Sequence, residues 1–291
     1  MAPTSAPSGR LHVVSTPIGN LGDMTFRAVE VLKAVALVLA EDTRHSRPLL
    51  AHFDVATPLE AYHEHNEARM TPRVLARLRA GEDVALISDA GTPLLSDPGA
   101  RLVAAALDAG IAVVPVPGAS ALLSALVSAG LPADRFTFYG FPPRRGGARA
   151  RLLAEVVALP HTAVLYESPN RLADTLAELA TAAGAGRGAA VARELTKHFE
   201  EVRRGTLGEL AAYYSATPAR GEVVLLVAGA APAELDEAEL GERARALQAE
   251  GHSTRDVVRL LMERYGAPRN AAYRVARGEA AGGIPEDERE R

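Results

Sequence analysis

The chain has 291 residues, of which 48% are hydrophobic and 23% are charged, so it can form two ordinary domains with apolar cores and a smaller appendage. It contains no cysteine, which excludes disulfides and thiolate metal sites and makes the cytoplasm the expected compartment. The net charge of -4 argues against a polycation that coats nucleic acid but leaves room for a local basic surface.

Neither the first ten residues nor the long uncharged stretch in the middle of the chain indicates targeting to a membrane. Residues 1–10 lack the apolar core of a signal peptide, and their Pro, Ser and Gly content predicts a disordered tail. The uncharged stretch from Ala109 to Ala133 is long enough to cross a bilayer, but Pro115 and Pro117 would break a single helix. We therefore expect a buried strand, a turn and a buried helix there, and no association with a membrane.

Short β-rich runs alternate with helical segments from Leu11 to Gly118, a pattern typical of a parallel sheet with helices on both faces. Several of these runs are apolar throughout, as in strands that are buried on both faces. We therefore expect an N-terminal α/β domain over residues 11–118. The alternation then restarts, but its last two strands flank only one helix, so a second α/β domain with a mixed sheet is expected over residues 119–230.

Beyond residue 230 the sequence becomes helical and charged, and Ser253 is placed to cap one of the helices. Eight arginines but three acidic residues lie between Arg243 and Arg277. The pattern predicts a basic helical extension over residues 231–281 and a disordered tail over residues 282–291.

Ligands bind beyond the carboxyl ends of the strands in an open parallel sheet, so the loops that leave those ends are the first candidates for a site. The first strand runs into STPIGNLGD, where glycine and proline let a ligand approach the backbone. This loop lacks a GxGxxG motif, so packing explains its glycines equally well. The fifth strand ends in VPVPGASA, whose small residues leave room for a flat ligand.

The loop after the fourth strand, SDAGTPLLSDPG, carries the strongest signal of a binding site. Its glycines permit close approach to a ligand and its prolines stiffen the backbone, which a purely structural loop rarely requires. The alternative is a double turn in which Ser96 or Asp97 caps the helix that follows.

Seven separated segments form a specific combination of motifs. They are STPIGNLGD, AEDTR (residues 40–44), SDAGTPLLSDPG, VPGASA, YESPNRL (residues 166–172), ARELTKHFEE (residues 192–201) and GEVVLLV (residues 221–227). In this order they resemble the bacterial ribosomal RNA small subunit methyltransferase I family of the tetrapyrrole methylase superfamily. The resemblance runs from about Leu11 into the arginine-rich tail.

This resemblance implies two α/β domains of the tetrapyrrole methylase type, S-adenosylmethionine in the cleft between them, and a homodimer. It also implies methylation of a cytidine ribose 2′-oxygen in the decoding centre of 16S ribosomal RNA, either as RNA or within the small ribosomal subunit. By position, the implied cofactor contacts are Pro17, Gly19, Asp89, Ala90, Gly91, Thr92, Pro93, Ser96, Pro117, Gly118, Ala119, Ser120, Tyr166, Ser168 and Gly221.

Methyl transfer to a ribose hydroxyl requires donor and acceptor to be held in line, and a nearby group that takes the hydroxyl proton or steadies the alkoxide accelerates it. The candidates at the strand ends are Glu41, Asp42, Arg44, His63, His65 and Glu167. We favour Glu167 and Asp42 as the catalytic residues. The alternative is structural: Asp42 caps the helix after it, and Glu167 holds its own loop through backbone hydrogen bonds.

The segment HEHNE, from His63 to Glu67, contains two residue types that bind metals. In a strand His63 and His65 would share one face while Glu64 points away, and no further ligand is evident. We therefore expect no metal, and favour RNA contact by this segment or an N-cap role for Asn66.

Two arginine-rich segments are candidates for RNA binding. RRGGARAR contains two glycines, so its arginines could close on a phosphate backbone or simply lie in a solvated loop. The helical tail could form a basic face on which Tyr265 and Tyr273 stack with bases, or could pack on the second domain through its apolar side chains. The predicted RNA contacts are Arg44, Arg144, Arg145, Arg149, Arg255, Arg269 and Arg274.

Two other functions remain open from the sequence. A methyltransferase of the same superfamily could act on a tetrapyrrole or a modified protein residue, but a small corrinoid would give the arginine-rich tail no phosphate chain to bind. A non-catalytic RNA-binding factor in ribosome assembly is the other alternative, and the intact SDAGTP motif argues against it.

Overall fold

The computed structural model describes residues 8–231 and 237–278. The predicted disordered tails lie outside these ranges, apart from residues 8–10. The chain forms two compact units, one that ends at Gly229 and one that starts at Ala230. The first unit contains two five-stranded sheets, and the second is helical.

The first sheet has the order β3-β2-β4-β1-β5, and its strands are all parallel, as predicted. Its connections contain a short 3-10 helix, Leu21–Asp23, and four α-helices. The strands are β1 Leu11–Val14, β2 Leu37–Ala40, β3 Leu59–Ala61, β4 Val84–Ile87 and β5 Val113–Val116, and the helices are α1 Phe26–Ala34, α2 Thr43–His52, α3 Glu67–Arg79 and α4 Ala100–Asp108.

Successive apolar side chains of the central strands point to opposite faces of this sheet, since side chains alternate along a strand. Val84 and Leu86 pack with α3 and α4 on one face. Ala85 and Ile87 pack with α1 and α2 on the other. Covering both faces with helices explains why these strands are apolar throughout.

The second sheet has the order β6-β7-β10-β8-β9, in which only β6 and β7 pair in parallel among the described strands. The predicted mixed sheet is therefore confirmed. Its strands are β6 Phe136–Phe138, β7 Thr162–Glu167, β8 Gly188–Arg193, β9 Glu201–Thr206 and β10 Val223–Val227. Helix α5, Ala121–Ser128, precedes it, and its own helices are α6 Gly147–Ala158, α7 Leu172–Ala183 and α8 Leu207–Ala216.

The two faces of the second sheet have different partners. One packs against α6, α7 and α8 to form a core of its own. The other packs against α5 and against Ile18 from the loop after β1. This second face joins the two sheets into one compact unit.

Two predicted helix caps are not formed. The Asn66 side chain accepts a hydrogen bond from the His63 N–H and donates to the Ala61 carbonyl oxygen, so it closes a turn rather than capping α3. Neither Ser96 nor Asp97 caps α4. The helix follows Gly99, whose N–H donates to the Glu67 carboxylate at 2.9 Å.

In its described residues the second unit has three helices, α9 Glu237–Ala249, α10 Thr254–Tyr265 and α11 Arg269–Arg277. Ser253 caps α10, as predicted, and Gly266 ends it in the left-handed conformation that glycine adopts readily. The apolar side chains of the three helices form a core among themselves, with Leu247, Leu261 and Val275 among its members. No helix in the described ranges of the chain is long and apolar enough to cross a membrane.

Candidate active site

The loops that follow β1, β4 and β5 lie side by side because these strands are neighbours in the first sheet. Thr16 and Gly91 form a two-way backbone bridge in which each N–H donates to the other carbonyl oxygen, at 2.9 and 3.1 Å. The Thr92 hydroxyl donates to the Ala119 carbonyl oxygen at 3.3 Å and lies 3.1 Å from the Ser15 hydroxyl oxygen. Three loops are thereby joined into one continuous rim.

The second sheet provides the wall opposite this rim. Tyr166 on β7, Ala192 on β8 and Val224 on β10 lie on the face that packs with α5, and Ile18 from the first loop joins the same apolar cluster. Between the rim and this wall is a cavity of about 320 Å³. This volume is at the lower end of the range for small-molecule sites, so the cavity suits a compact ligand.

Many of the predicted cofactor contacts line this cavity. They are Ala90, Gly91, Thr92, Ser96, Ser120, Tyr166, Ser168 and Gly221. The cavity is also lined by residues that we did not predict as contacts. These are Ile18, Leu95, Asp97, Ala121, Phe141, Pro169, Ala192, Leu195, Glu222, Val223 and Val224. Glu167, which we predicted as a catalytic residue, is also part of the lining.

Other predicted contacts do not line the cavity in the described structure, and three of them have another role. A Cβ atom on Gly19 would lie 2.4 Å from Cγ of Lys197, and one on Gly118 would lie 3.0 Å from Cβ of Ser15. Both glycines therefore allow close packing. Asp89 accepts a hydrogen bond from the Asp42 N–H at 3.1 Å and so joins two loops. The predicted residues outside the lining are Pro17, Gly19, Asp89, Pro93, Pro117, Gly118 and Ala119.

Carboxyl groups gather at the edge of the cavity, where Asp97 is part of the lining. Burial raises the pKa of Asp97 to about 6, with further increases from the charges of Glu41 and Asp89, while a hydrogen bond to Ser88 acts in the opposite direction. Burial and the charge of Asp89 also raise the pKa of Glu41. A carboxyl group with a pKa near neutrality can accept and release a proton under physiological conditions.

The structure does not support Glu167 as the group that takes the proton. Consecutive residues of a strand point to opposite faces, so Tyr166 faces the cavity while the Glu167 side chain faces α6 and α7. That side chain is fully buried. Its carboxylate accepts hydrogen bonds from the Ser168 N–H at 2.8 Å and the Thr175 hydroxyl at 2.6 Å. This arrangement agrees with the structural alternative, in which Glu167 holds its own loop.

Asp42 also has a structural role. Its side chain caps α2 by accepting a hydrogen bond from the Arg44 N–H at 2.8 Å, and it pairs with the Arg44 guanidinium at 2.9 Å. The hydrogen bonds from Arg44 lower the pKa of Asp42 to about 2. Such a carboxylate is a weak base at neutral pH, so the capping alternative fits better than catalysis.

The histidines of HEHNE lie in the turn after β3, not in the strand as we expected. Their rings are 6.0 Å apart, centroid to centroid. Within residues 8–231 and 237–278, no group of three His, Asp or Glu side chains is arranged to hold a metal ion.

The arginines predicted to contact RNA differ in their surroundings. Arg144 and Arg145 are exposed in the loop before α6. Arg44 is exposed but paired with Asp42. Arg149 does not fit an RNA contact: it is 7% exposed and donates to Glu178, to the Thr175 hydroxyl and to the backbone of the preceding loop. Arg149 can be buried because this network replaces the hydrogen bonds that its guanidinium would make with water.

In the helical unit, Arg255, Arg269 and Arg274 are all exposed. Tyr265 and Tyr273 are half-buried against the core of that unit. The Arg243 guanidinium lies 5.8 Å from the Tyr265 ring centroid, and the Arg269 guanidinium lies 5.7 Å from that of Tyr273. The two tyrosine rings thus contact arginines within their own unit.

Relatives with known names match most of the chain. A ribosomal RNA small subunit methyltransferase I from Synechocystis sp. is 47% identical over 271 residues, which cover 92% of this chain and 97% of the relative. The protein of the same name from Xylella fastidiosa strain Temecula1 is 49% identical over 267 residues, 91% of this chain and 98% of the relative. The one from Escherichia coli O157:H7 is 44% identical over 270 residues, 92% of this chain and 94% of the relative.

Solved structures of lower sequence identity share the fold. Uroporphyrin-III C-methyltransferase from Thermus thermophilus, complexed with S-adenosylhomocysteine, has a TM-score of 0.55 at 22% identity, with 76% of this chain and 97% of that chain covered. A diphthine synthase structure has a TM-score of 0.60 at 15% identity, with 76% and 90% covered.

The family model of the tetrapyrrole (corrin/porphyrin) methylases matches residues 10–211. The resemblance found in the sequence motifs is therefore confirmed. The chain belongs to the tetrapyrrole methylases and, within them, to the ribosomal RNA small subunit methyltransferase I family.

Proposed function

We propose that this protein transfers a methyl group from S-adenosylmethionine to 16S ribosomal RNA in the cytoplasm, at the 2′-oxygen of a cytidine ribose in the decoding centre. The observation that carries the proposal is the agreement of name among relatives that are 44–53% identical, together with the cavity at the strand ends. The resemblance of the sequence motifs supports the finer choice of a cytidine ribose.

The cavity residues fit the methyl donor. Val224 and Ala192 offer an apolar wall for a flat adenine ring, and Thr92 and Ser120 offer hydroxyl groups near it. Asp97 provides a carboxyl group that favours a positively charged ligand. The donor supplies a methyl group that is activated by its bond to a sulfonium sulfur.

Gly91 is a position in the cavity wall where a larger residue is poorly tolerated. Its φ is +78°, and a Cβ atom there would lie 3.2 Å from the Cγ2 atom of Ile18, another lining residue. Gly110 has a similar φ of +69° with nothing within 4 Å, so it incurs the same backbone strain away from the cavity. The two glycines therefore form a matched pair.

We expect the intact protein to transfer tritium from labelled S-adenosylmethionine to small ribosomal subunits from a strain that lacks it. Gly91→Val should abolish both transfer and cofactor binding by calorimetry, because the added branches fill the cavity wall. Gly110→Val should retain cofactor affinity. Label on a different acceptor, or none on 16S RNA, would contradict the proposed function, and unchanged affinity in Gly91→Val would contradict the site.

Asp97 is the residue that we propose takes the proton from the acceptor hydroxyl. It lines the cavity, unlike Asp42, and its side chain is half-buried rather than enclosed, unlike Glu167. Because its pKa is raised to about 6, it is ionised at pH 7.5 and still basic enough to accept a proton. Burial keeps that pKa high, and the charges of Glu41 and Asp89 raise it further.

The rate of methyl transfer should rise with pH through about pH 6 and level off above it, since the proton acceptor works only when ionised. Asp97→Asn should lower kcat by about 10²-fold or more and remove this acid limb. Asp108→Asn, an exposed carboxyl on α4, is the control. A loss confined to the KM for S-adenosylmethionine would assign Asp97 to cofactor binding instead.

The RNA contacts that we propose include residues of both units. Arg144 and Arg145 are exposed near the cavity loops of the first unit, and Arg44 follows β2. In the helical unit, Arg255, Arg269 and Arg274 are exposed on α10 and α11. An exposed guanidinium group can bind phosphate oxygens through paired hydrogen bonds.

Reversing charge with Arg255→Glu and Arg269→Glu together should weaken binding to 16S RNA and reduce the slope of log K against log salt by about 1 to 2, because two phosphate contacts are lost. Filter binding at several salt concentrations measures this. Arg79→Glu with Arg135→Glu makes the same charge change at exposed positions elsewhere. Equal losses in both double variants would show a general charge effect and not a binding surface.

We also propose that the protein is a homodimer and that α5 contributes to the contact. Leu123 and Val127 are one turn apart on α5 and are 52% and 81% exposed, although a solvated helix face is usually polar. Light scattering should give twice the chain mass, and Val127→Glu should shift it toward one chain. A wild-type mass of one chain at micromolar concentration would contradict the proposal.

A further inference from the structure

A second cavity of about 560 Å³ lies beside the first. It is lined by residues 141–144, at the start of the loop before α6, and by Ser168, Asn170 and Arg171 at the end of β7. Phe141 and Ser168 line both cavities. A ligand in the second cavity would therefore be a direct neighbour of the ligand in the first.

The wall shared by the two cavities is aromatic. Phe141 is 58% exposed, which is unusual for a large apolar side chain in an otherwise well-packed unit. Its ring centroid is 5.4 Å from that of Tyr166, so one part of the ring is supported while the rest remains open. Exposed aromatic rings of this kind serve as stacking surfaces for unpaired bases.

Two arginine side chains hold the loop that carries Phe141 through hydrogen bonds to its backbone. Arg171 donates to the carbonyl oxygens of Pro142 and Pro143 at 3.0 Å each, and Arg149 donates to that of Pro143 at 3.3 Å. The Glu167 carboxylate lies between the two guanidiniums, 3.6 Å from one and 3.9 Å from the other. The loop is thus fixed before any ligand arrives, which lowers the entropic cost of binding.

The open side of the cavity carries groups suited to a nucleotide. Arg144 is exposed at its edge, and a guanidinium binds phosphate oxygens through paired hydrogen bonds. Asn170 is exposed beside it and can both donate to and accept from the edge of a base. Apolar, aromatic, amide and cationic groups thus surround one space.

We propose that this second cavity binds the methyl-acceptor nucleotide, with its base stacked on Phe141 and an adjacent phosphate on Arg144. The inference rests on the proposed function and adds the acceptor subsite to it. In the reaction, the acceptor oxygen forms a bond to the methyl carbon as the carbon–sulfur bond breaks. The hydroxyl proton passes to Asp97, and the sulfur retains the electron pair of the broken bond.

Binding of cytidine 5′-monophosphate to the protein loaded with S-adenosylhomocysteine tests the subsite directly, by saturation-transfer NMR on the base protons. Phe141→Leu and Arg144→Ala should each weaken binding by about five-fold or more, because stacking or the phosphate contact is lost. Phe141→Tyr keeps the stacking surface and should bind as the wild type does. Arg135→Ala removes an exposed arginine outside both cavities and should have no effect.

The same variants are then compared in methyl transfer to small ribosomal subunits at saturating cofactor. Arg144→Ala should lower kcat/KM for the subunit by about ten-fold and leave cofactor affinity within about two-fold, since it lines only the second cavity. No nucleotide signal, or equal signals in all variants, would overturn the inference. A nucleotide signal that depends on Phe141 and Arg144, without transfer to RNA, would uphold the subsite and refute the proposed function.

Discussion

The backbone pairing of Thr16 with Gly91 is the contact on which the site depends. It joins the loops after β1 and β4 at the point where both strands end, and Thr92 extends the connection to the loop after β5. The pairing requires the left-handed backbone of Gly91, where a larger residue would be strained and would contact Ile18. The rim of the cavity is therefore a property of backbone geometry, and the side chains around it only refine its chemistry.

On the other side of β7, buried charge has the same supporting role. Glu167 is fully buried, and an isolated carboxylate there would be strongly destabilising. It is stable because hydrogen bonds from Thr175 and Ser168 and the nearby guanidiniums of Arg149 and Arg171 replace water. Both arginines also donate to the loop that carries Phe141. The ion cluster therefore connects this loop, which lines the second cavity, to the buried Glu167.

The sequence was sufficient to predict the two sheets and the loops of the site, because these depend on local patterns. Apolar runs, helix periodicity and glycine with proline at strand ends are all read within a few residues. The wall formed by Ala192 and Val224 was not predictable in this way, since apolar strand residues look the same in a core and in a cavity. Arg149 was misassigned because its partner Glu178 is 29 residues away, so only the tertiary structure shows it to be buried.

Tyr166 and Glu167 are adjacent in sequence yet belong to different compartments of the molecule, one aromatic and open, the other charged and closed. A single inserted or deleted residue within β7 would exchange them, placing a carboxylate against the first cavity and a phenol among the arginines. A substitution in β7 therefore changes one face of the strand, whereas a change in its length alters both faces at once.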